Sequence, residues 1–472
     1  MNPGEARNEN PSMDAPTGFG KVSEAHAGPV IEAASDWPRP SRAWYALIIL
    51  TIALMVATVD RGILTLLVAP IKAQLQLSDT QFTVLHGWAF VSVYALLGLP
   101  IARLADHRSR RFIIGVGIAF WSLATALCGF ANSFAQFFLA RAGVGAGESS
   151  FAPATYSILQ DSFPPAKLPR VFAILSIGFS YGTSFGVILG AALLWLASDA
   201  ARWLGPAFGT LEPWQLVLVL CALPGFALAL LMSTVHEPRR RGFPPGTRAT
   251  GAVPLAQVLA FFREHRAAYV PMFVAMGIKA MLTFGSGFWI PELLRRTFEW
   301  KVTKTALIQG TLGLIVAPLG LVLGSWLAER YQRRGFDDAN LRVLQLATVC
   351  AIPVAVCFPL LADPWWVMGG WALNLFVISI GIAPANAALQ VITPNPMRGQ
   401  IRAAYQFVFN VIGFGAGSFS VALFTDQVFG ADAALRYSLA SVAAIIGPAA
   451  ALLTWRGMKP YAACVARARS WS

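Results

Sequence analysis

Twelve apolar runs follow one another along the 472 residues, at about 43–70, 80–102, 112–131, 134–161, 171–197, 213–234, 267–293, 303–328, 341–361, 364–393, 399–425 and 433–456. About 20 apolar residues in a helix cross the hydrocarbon of a bilayer. Inside that hydrocarbon every backbone N–H and C=O must find a partner within the protein, so runs of this length are helices and not barrel strands. Only 12% of the residues are charged, about half the ~25% of a soluble domain. The chain therefore reads as an all-α membrane protein of twelve transmembrane helices. A disordered chain, a disulfide scaffold and a nucleic-acid module are excluded.

Lys and Arg are divided unevenly between the connections. Those after runs 2, 4, 6, 8 and 10 carry Arg103, Arg108, Arg110 and Arg111; Lys167 and Arg170; Arg239 to Arg241, Arg248, Arg263 and Arg266; Arg330, Arg333, Arg334 and Arg342; and Arg398 and Arg402. The opposite side carries Lys72, Arg202, Arg295, Arg296, Lys301, Lys304 and Arg436. Basic loops stay in the cytoplasm, so both termini are expected there, in a cell inner membrane. The net charge of +13 is then topology rather than the mark of a nucleic-acid partner.

Residues 1–42 are polar and lack the apolar core of a signal peptide, so they are expected to form a flexible cytoplasmic tail. The connection 235–266 separates an N-terminal six-helix half, 43–234, from a C-terminal one, 267–457; residues 458–472 are a second tail. Within the connection, Leu255, Val258, Leu259 and Phe262 recur at helical spacing beside Arg263, Glu264 and Arg266, the pattern of an amphipathic helix on a membrane surface. The cysteines and histidines show no metal-ligand spacing, and there is no Gly-x-x-x-x-Gly-Lys nucleotide loop. No metal, cofactor or ATP-driven step is expected.

The two halves echo one another. Leu104-Ala-Asp106 followed by Arg110-Arg111 recurs as Leu327-Ala-Glu329 followed by Arg333-Arg334. Ala152-Pro-Ala154 with Leu159-Gln160 recurs as Ala383-Pro-Ala385 with Leu389-Gln390. Parallel six-helix repeats around a midplane site are the architecture of a large class of secondary transporters.

The connection Ala102-Arg-Leu-Ala-Asp106-His107-Arg-Ser109-Arg110-Arg111 resembles the signature loop of the major facilitator superfamily, with Ala102 and Ser109 in place of glycines and His107 in place of a cation. Arg141-x-x-x-Gly145 is similar to that superfamily's fourth-helix motif. Asp60-Arg61, Gly145-Ala-Gly-Glu148 and Thr393-Pro-Asn-Pro-Met-Arg398-Gly-Gln400 resemble the Spinster family. The resemblance implies the major facilitator fold, a transporter working as a monomer, and an amphipathic lipid cargo such as a lysophospholipid or a sphingoid phosphate. It also implies a cytoplasmic gate made of Asp106, Arg110 and Arg111 with their echo Glu329, Arg333 and Arg334.

Four ionisable residues fall deep in the first half: Asp60, Arg61, Arg141 and Glu148. Charge at the bilayer centre is costly, so these side chains should face a cavity and one another. Arg141, Gly145 and Glu148 are spaced i, i+4, i+7 and share one face of their helix. Asp60 and Glu148 are candidate proton carriers, since burial and a neighbouring arginine pull a carboxylate's proton affinity in opposite directions. A structural salt-bridge cluster is the alternative. Arg61 and Arg141 suit an anionic headgroup, because a guanidinium fork matches phosphate and carboxylate. Lys279 either snorkels or adds a second contact to that head. Tyr181, Phe284 and Trp289 are candidates for an aromatic wall along an acyl chain. Gly178, Gly182, Gly186 and Gly190 recur every fourth residue, a spacing that lets helices approach closely, for sliding or for static packing.

The function expected is secondary active transport of an amphipathic, anionic, lipid-like substrate by proton-coupled alternating access. Efflux of drug-like amphiphiles and uptake of an organic acid are the alternatives. An intramembrane lipid-modifying enzyme is the remote one, since His86 has no Ser or Cys partner that spacing assigns.

Overall fold

The computed structural model describes residues 37–164, 167–203, 211–240, 254–394 and 397–468. The expected tail lies outside them as far as residue 36, as does the connection over 241–253. Among the described residues all regular structure is helical, and eleven helices are long and apolar enough to cross a membrane. The remaining expected span, the fourth, 134–161, is present as two helices, Phe134–Glu148 and Phe151–Ser162, meeting at Ser149-Ser150.

That break has a chemical cause. Pro153 has no N–H to give to the carbonyl four residues earlier, on Ser149, and its ring crowds that carbonyl, so the proline is accommodated only in the first turn of a new helix. Span 10 repeats the device. Pro364–Ile380 and Ile382–Val391 meet at Gly381, three residues before Pro384, whose missing N–H would otherwise serve the carbonyl of Ile380. Offset by 231 residues, the two breaks are copies of one another.

Two ends depart from the sequence expectation. Span 1 does not run to residue 70: it covers Pro40–Leu64, and a separate helix, Val68–Leu75, follows, ending on left-handed Gln76. Pro70 again accounts for this, since it sits in the first turn of the new helix. Residues 458–468 are not a tail. Span 12 is one helix, Leu435–Ala468, and Tyr461, Cys464 and Val465 are buried in a cluster with Tyr269, Ile401 and Tyr405.

The glycine stripe of span 5, Leu168–Trp203, packs on span 1 inside the first half. A Cβ on Gly182 would lie 2.8 Å from the Met55 carbonyl oxygen, and one on Gly186 would lie 2.7 Å from the Val59 Cα. The second half repeats the seam. Gly417, 231 residues after Gly186, meets Gly285 of span 7, Arg266–Phe298, which itself stands 223 residues after Gly62 of span 1. Both seams lie within a half.

The halves touch elsewhere. Gly310 and Gly313 of span 8, Val302–Arg333, lie against Ser184 of span 5. Gly87 of span 2 lies against the backbone of Phe414 and Gly415 in span 11. Span 2 runs Asp79–Thr83, Val84–Trp88 and Ala89–His107, its middle piece being a π-turn. The linker helix Leu255–Glu264 lays Val258, Phe261 and Phe262 against Tyr269, Met272 and Phe273 of span 7, while Leu259 stays exposed.

Candidate functional site

Spans 1 and 4 run antiparallel, and the four deep charges on them form two ion pairs. Arg141 donates from Nη1 to Asp60 Oδ2 at 2.6 Å, and Arg61 donates from Nη2 to Glu148 Oε2. Neighbours in sequence, Asp60 and Arg61 thus engage opposite ends of one face of span 4. Glu148 is the last residue before the Pro153-induced break. A Cβ on Gly145 would stand 2.4 Å from the carbonyl oxygen of Phe90, so only glycine admits span 2 here. That approach brings the Phe90 ring beneath both guanidinia, 4.6 Å from Arg61 and 5.8 Å from Arg141. Phe414 of span 11 lies 5.5 Å from Arg61 on behalf of the second half.

The two pairs differ in access. Arg141 and Asp60 side chains are 1% and 8% exposed; Arg61 is 21% exposed. Asp60 Oδ1, Glu148 Oε1, Arg61 Nε and Arg141 Nε and Nη2 are buried without a hydrogen-bond partner. A buried polar group left unsatisfied is costly, so this cluster is not arranged for stability alone. It can bind an anion at Arg61 and exchange a proton at a carboxylate.

The other expected site residues divide. Phe284 joins the cluster through Phe414, edge-on at 5.6 Å. Tyr181 is exposed on span 5. Trp289 is not a wall residue in this structure: it is fully buried, with its indole N–H donating to the Ser418 carbonyl oxygen at 3.0 Å. Lys279 neither snorkels nor joins the four charges. It is 4% exposed, its Nζ has no hydrogen-bond partner, and a Cβ on Gly381 would sit 2.0 Å from that nitrogen. The ammonium therefore occupies the notch at the break of span 10. At the repeat positions of Asp60, Arg61, Arg141 and Glu148 the second half carries Thr283, Phe284, Ala372 and Ser379.

Among the described side chains, the contacts of the expected gate residues Arg110, Arg111, Glu329 and Arg333 do not run from one half to the other. Arg110 is buried against Asp161 of its own half and Glu237 of the connection, 2.8 Å from the latter. Arg111 donates to the carbonyl oxygens of Val235 and Ser233 at 3.2 and 3.4 Å. Glu329 and Arg333 face one another within one exposed helix at 3.6 Å, and Arg334 caps that helix. The side chain of Asp106 lies outside the described residues. Burial raises the Glu237 carboxyl, but the Arg111 backbone N–H and the Arg110 and Ser109 side chains outweigh it and hold the group below the usual carboxylate range.

A latch that the sequence reading missed joins the halves at the opposite end. Arg296 of span 7 grips Asp79 of span 2 with both terminal nitrogens, at 2.6 and 2.8 Å. Lys72 pairs with the same carboxylate, and Glu292 holds Arg296 Nε at 2.9 Å. The Thr80 N–H donates to Asp426 at 2.7 Å. Asp79, Asp426 and Asp432 bring carboxylate oxygens within 4.8 Å of one another, but Arg296 and Lys72 supply the positive charge. Removing one partner of a buried pair costs about 3–5 kcal/mol. Arg296→Glu should therefore open this end and raise labelling of Thr425→Cys, just beneath the latch, about tenfold or more in a background without other cysteines. An unchanged labelling rate would show that the latch does not hold the end shut.

His86, set aside on sequence, is also central. It is buried and stacks on Phe288 at 4.5 Å and Phe414 at 4.9 Å, both from the other half. A histidine inside an otherwise apolar run was the available signal.

Comparison with known proteins agrees with this architecture. The Major Facilitator Superfamily profile matches residues 50–420. An MFS-type efflux pump of Mycolicibacterium smegmatis is 26% identical over 418 residues, 87% of this chain and 92% of that protein. The sphingosine-1-phosphate transporter SPNS2 of Danio rerio is 25% identical over 281 residues, and the alignment spans 56% of this chain and about half, 53%, of that protein. The crystal structure of a bacterial homolog to the human lysosomal transporter Spinster superposes with a TM-score of 0.75 at 24% identity, covering 91% of this chain and 98% of that one. The chain is a multi-pass membrane transporter and belongs to the Major Facilitator Superfamily.

Proposed function

We propose that the protein carries an amphipathic, anionic, lipid-like substrate across a cell inner membrane by proton-coupled alternating access, with both termini in the cytoplasm. The observation that carries this reading is the partly exposed Arg61, paired with Glu148 and set over the rings of Phe90 and Phe414. A phosphate or carboxylate arriving at the guanidinium displaces the Glu148 carboxylate from it. A carboxylate deprived of its cation in low-dielectric surroundings takes up a proton from the open side. When the anion leaves, the proton leaves too and the pair re-forms. Asp60 and Arg141, more deeply buried, keep their pairing throughout and fix the height of Arg61. The aromatic rings and Phe284 offer an apolar shelf beside the head. In this reading the Arg-rich loops lie on the cytoplasmic face, the latch at Asp79 closes the outer face, and the SPNS2 similarity supports a phosphate-bearing lipid cargo.

The long alignment with the efflux pump favours a second reading, export of drug-like amphiphiles through the same site. Proteoliposome uptake separates the two. A labelled lysophospholipid should be transported, with faster uptake under an inward proton gradient, and a neutral amphiphile of equal chain length should not compete. Competition by the neutral compound would favour the efflux reading. Transport of a water-soluble organic acid in place of the lysolipid would remove the lipid assignment.

A further inference from the structure

A cavity of about 500 Å³ opens at the Arg-rich end of the first half, away from the four buried charges, and is lined by Ser41, Arg42, Tyr45, Arg111, Thr234 and His236. Three separate elements build it: the start of span 1, the start of span 3, Arg110–Gly129, and the end of span 6, Pro213–Leu231, with the turn that follows it. Its lining is two guanidinia, an imidazole and three hydroxyls, with no carboxylate. The nearby carboxylate, Glu237, is taken up by Arg110, Ser109 and the Arg111 backbone N–H. Arg111 is fixed in place by the carbonyl oxygens of Ser233 and Val235, and the hydroxyls of Tyr45 and Thr234 are 2.6 Å apart. Arg42 is exposed and has no ion-pair partner among the described residues. The Thr234 hydroxyl is spent on the Leu231 carbonyl oxygen and the Tyr45 hydroxyl on Thr234, so the donors on offer are the anchored Arg111 guanidinium, the exposed Arg42 guanidinium and the Ser41 hydroxyl, a set suited to the oxygens of a phosphate group.

An apolar track starts at the same cup. Tyr45, Ile48 and Ile52 are spaced i, i+3, i+7 and so share one face of span 1, and Ile48 and Ile52 are 53% and 43% exposed. Leu231, one turn before Thr234 on span 6, is 41% exposed alongside. The track runs about 10 Å from the cup toward the membrane centre.

We propose that this cavity is a binding site for the phosphate of an anionic membrane phospholipid, whose acyl chain lies along Ile48 and Ile52. The site is independent of the transport pathway. Its occupant ties the start of span 1, the helix that carries Asp60 and Arg61, to spans 3 and 6. A dissolved phosphate ester shares the head chemistry but has nothing to lay on the track.

The test uses the full chain in detergent, with bound lipid read by native mass spectrometry and thermal unfolding followed in parallel. Phosphatidylglycerol should be retained and should raise the unfolding temperature, and phosphatidylcholine should do neither. Arg42→Gln and His236→Asn, both at exposed positions, should each weaken phosphatidylglycerol retention, by about tenfold for the arginine. Arg456→Gln, which removes an exposed arginine from span 12, should leave retention unchanged. Millimolar inorganic phosphate and glycerol 3-phosphate should not displace the lipid. Equal retention in wild type and Arg42→Gln, or equal losses in Arg42→Gln and Arg456→Gln, would overturn the site. Displacement by inorganic phosphate would overturn the lipid as its occupant.

Discussion

Arg141→Leu should be the most damaging single substitution to the folded protein, with a loss of about 3–5 kcal/mol. The guanidinium is 1% exposed, and its partner Asp60 has one oxygen already unsatisfied. Taking the arginine away leaves a carboxylate between helices with no counter-ion, a larger cost than the pair's own net contribution. The double variant Asp60→Leu/Arg141→Leu removes both charges and should recover much of that loss. The measurement is thermal unfolding of the purified protein in detergent, read as a double-mutant cycle. Single and double variants that simply add would mean that the two residues do not depend on one another, and the buried pair would lose its role in positioning Arg61.

Arg61 and Glu148 should govern transport instead. Arg61→Gln removes the cation offered to the substrate. Truncating one member of a buried charge pair costs about 2–5 kcal/mol in binding, or roughly thirty-fold and upward in affinity, with little change in unfolding temperature because the Glu148 carboxyl left behind takes up a proton instead of staying an unpaired charge. Glu148→Gln should keep substrate binding and flatten the dependence of uptake on an imposed proton gradient. Asp60→Asn should keep that dependence while lowering stability. The sign is specific: wild-type uptake strengthens as the substrate side becomes more acidic, because anion binding frees Glu148 to accept a proton. A Glu148→Gln variant with wild-type gradient dependence would remove Glu148 from the coupling step.

The charges were readable because they stand against an apolar background. Asp60, Arg61, Arg141 and Glu148 interrupt runs that are otherwise hydrocarbon, and helical spacing alone puts Arg141 and Glu148 on one face. Which cation would take which carboxylate was not readable. Asp60 and Arg61 are adjacent, and the choice depends on the rotation and depth of span 1 against span 4. The latch was hidden for the opposite reason. Asp79 and Arg296 lie at the ends of spans, where charge is ordinary, and their pairing across 217 residues leaves no local pattern. Arg295 and Arg296 therefore looked like topology signals only. Trp289 was misplaced because span 7 is apolar on every side, so periodicity does not tell an inward ring from an outward one. The breaks in spans 4 and 10 were written in Pro153 and Pro384. Long apolar runs concealed them, since hydropathy is blind to a missing N–H.

The repeat preserves the breaks and the glycine seams but not the charges: Thr283, Phe284, Ala372 and Ser379 stand where the first half has Asp60, Arg61, Arg141 and Glu148. The duplicated scaffold is thus chemically one-sided. The four-charge cluster lies in one half, and the other faces it with the rings of Phe284, Phe288 and Phe414. Under the proposed function, such a division would separate energising the cargo from selecting it. Reshaping the aromatic face of the second half can change the accepted tail while the ionic machinery opposite stays intact, which gives one carrier frame a route to many amphiphiles.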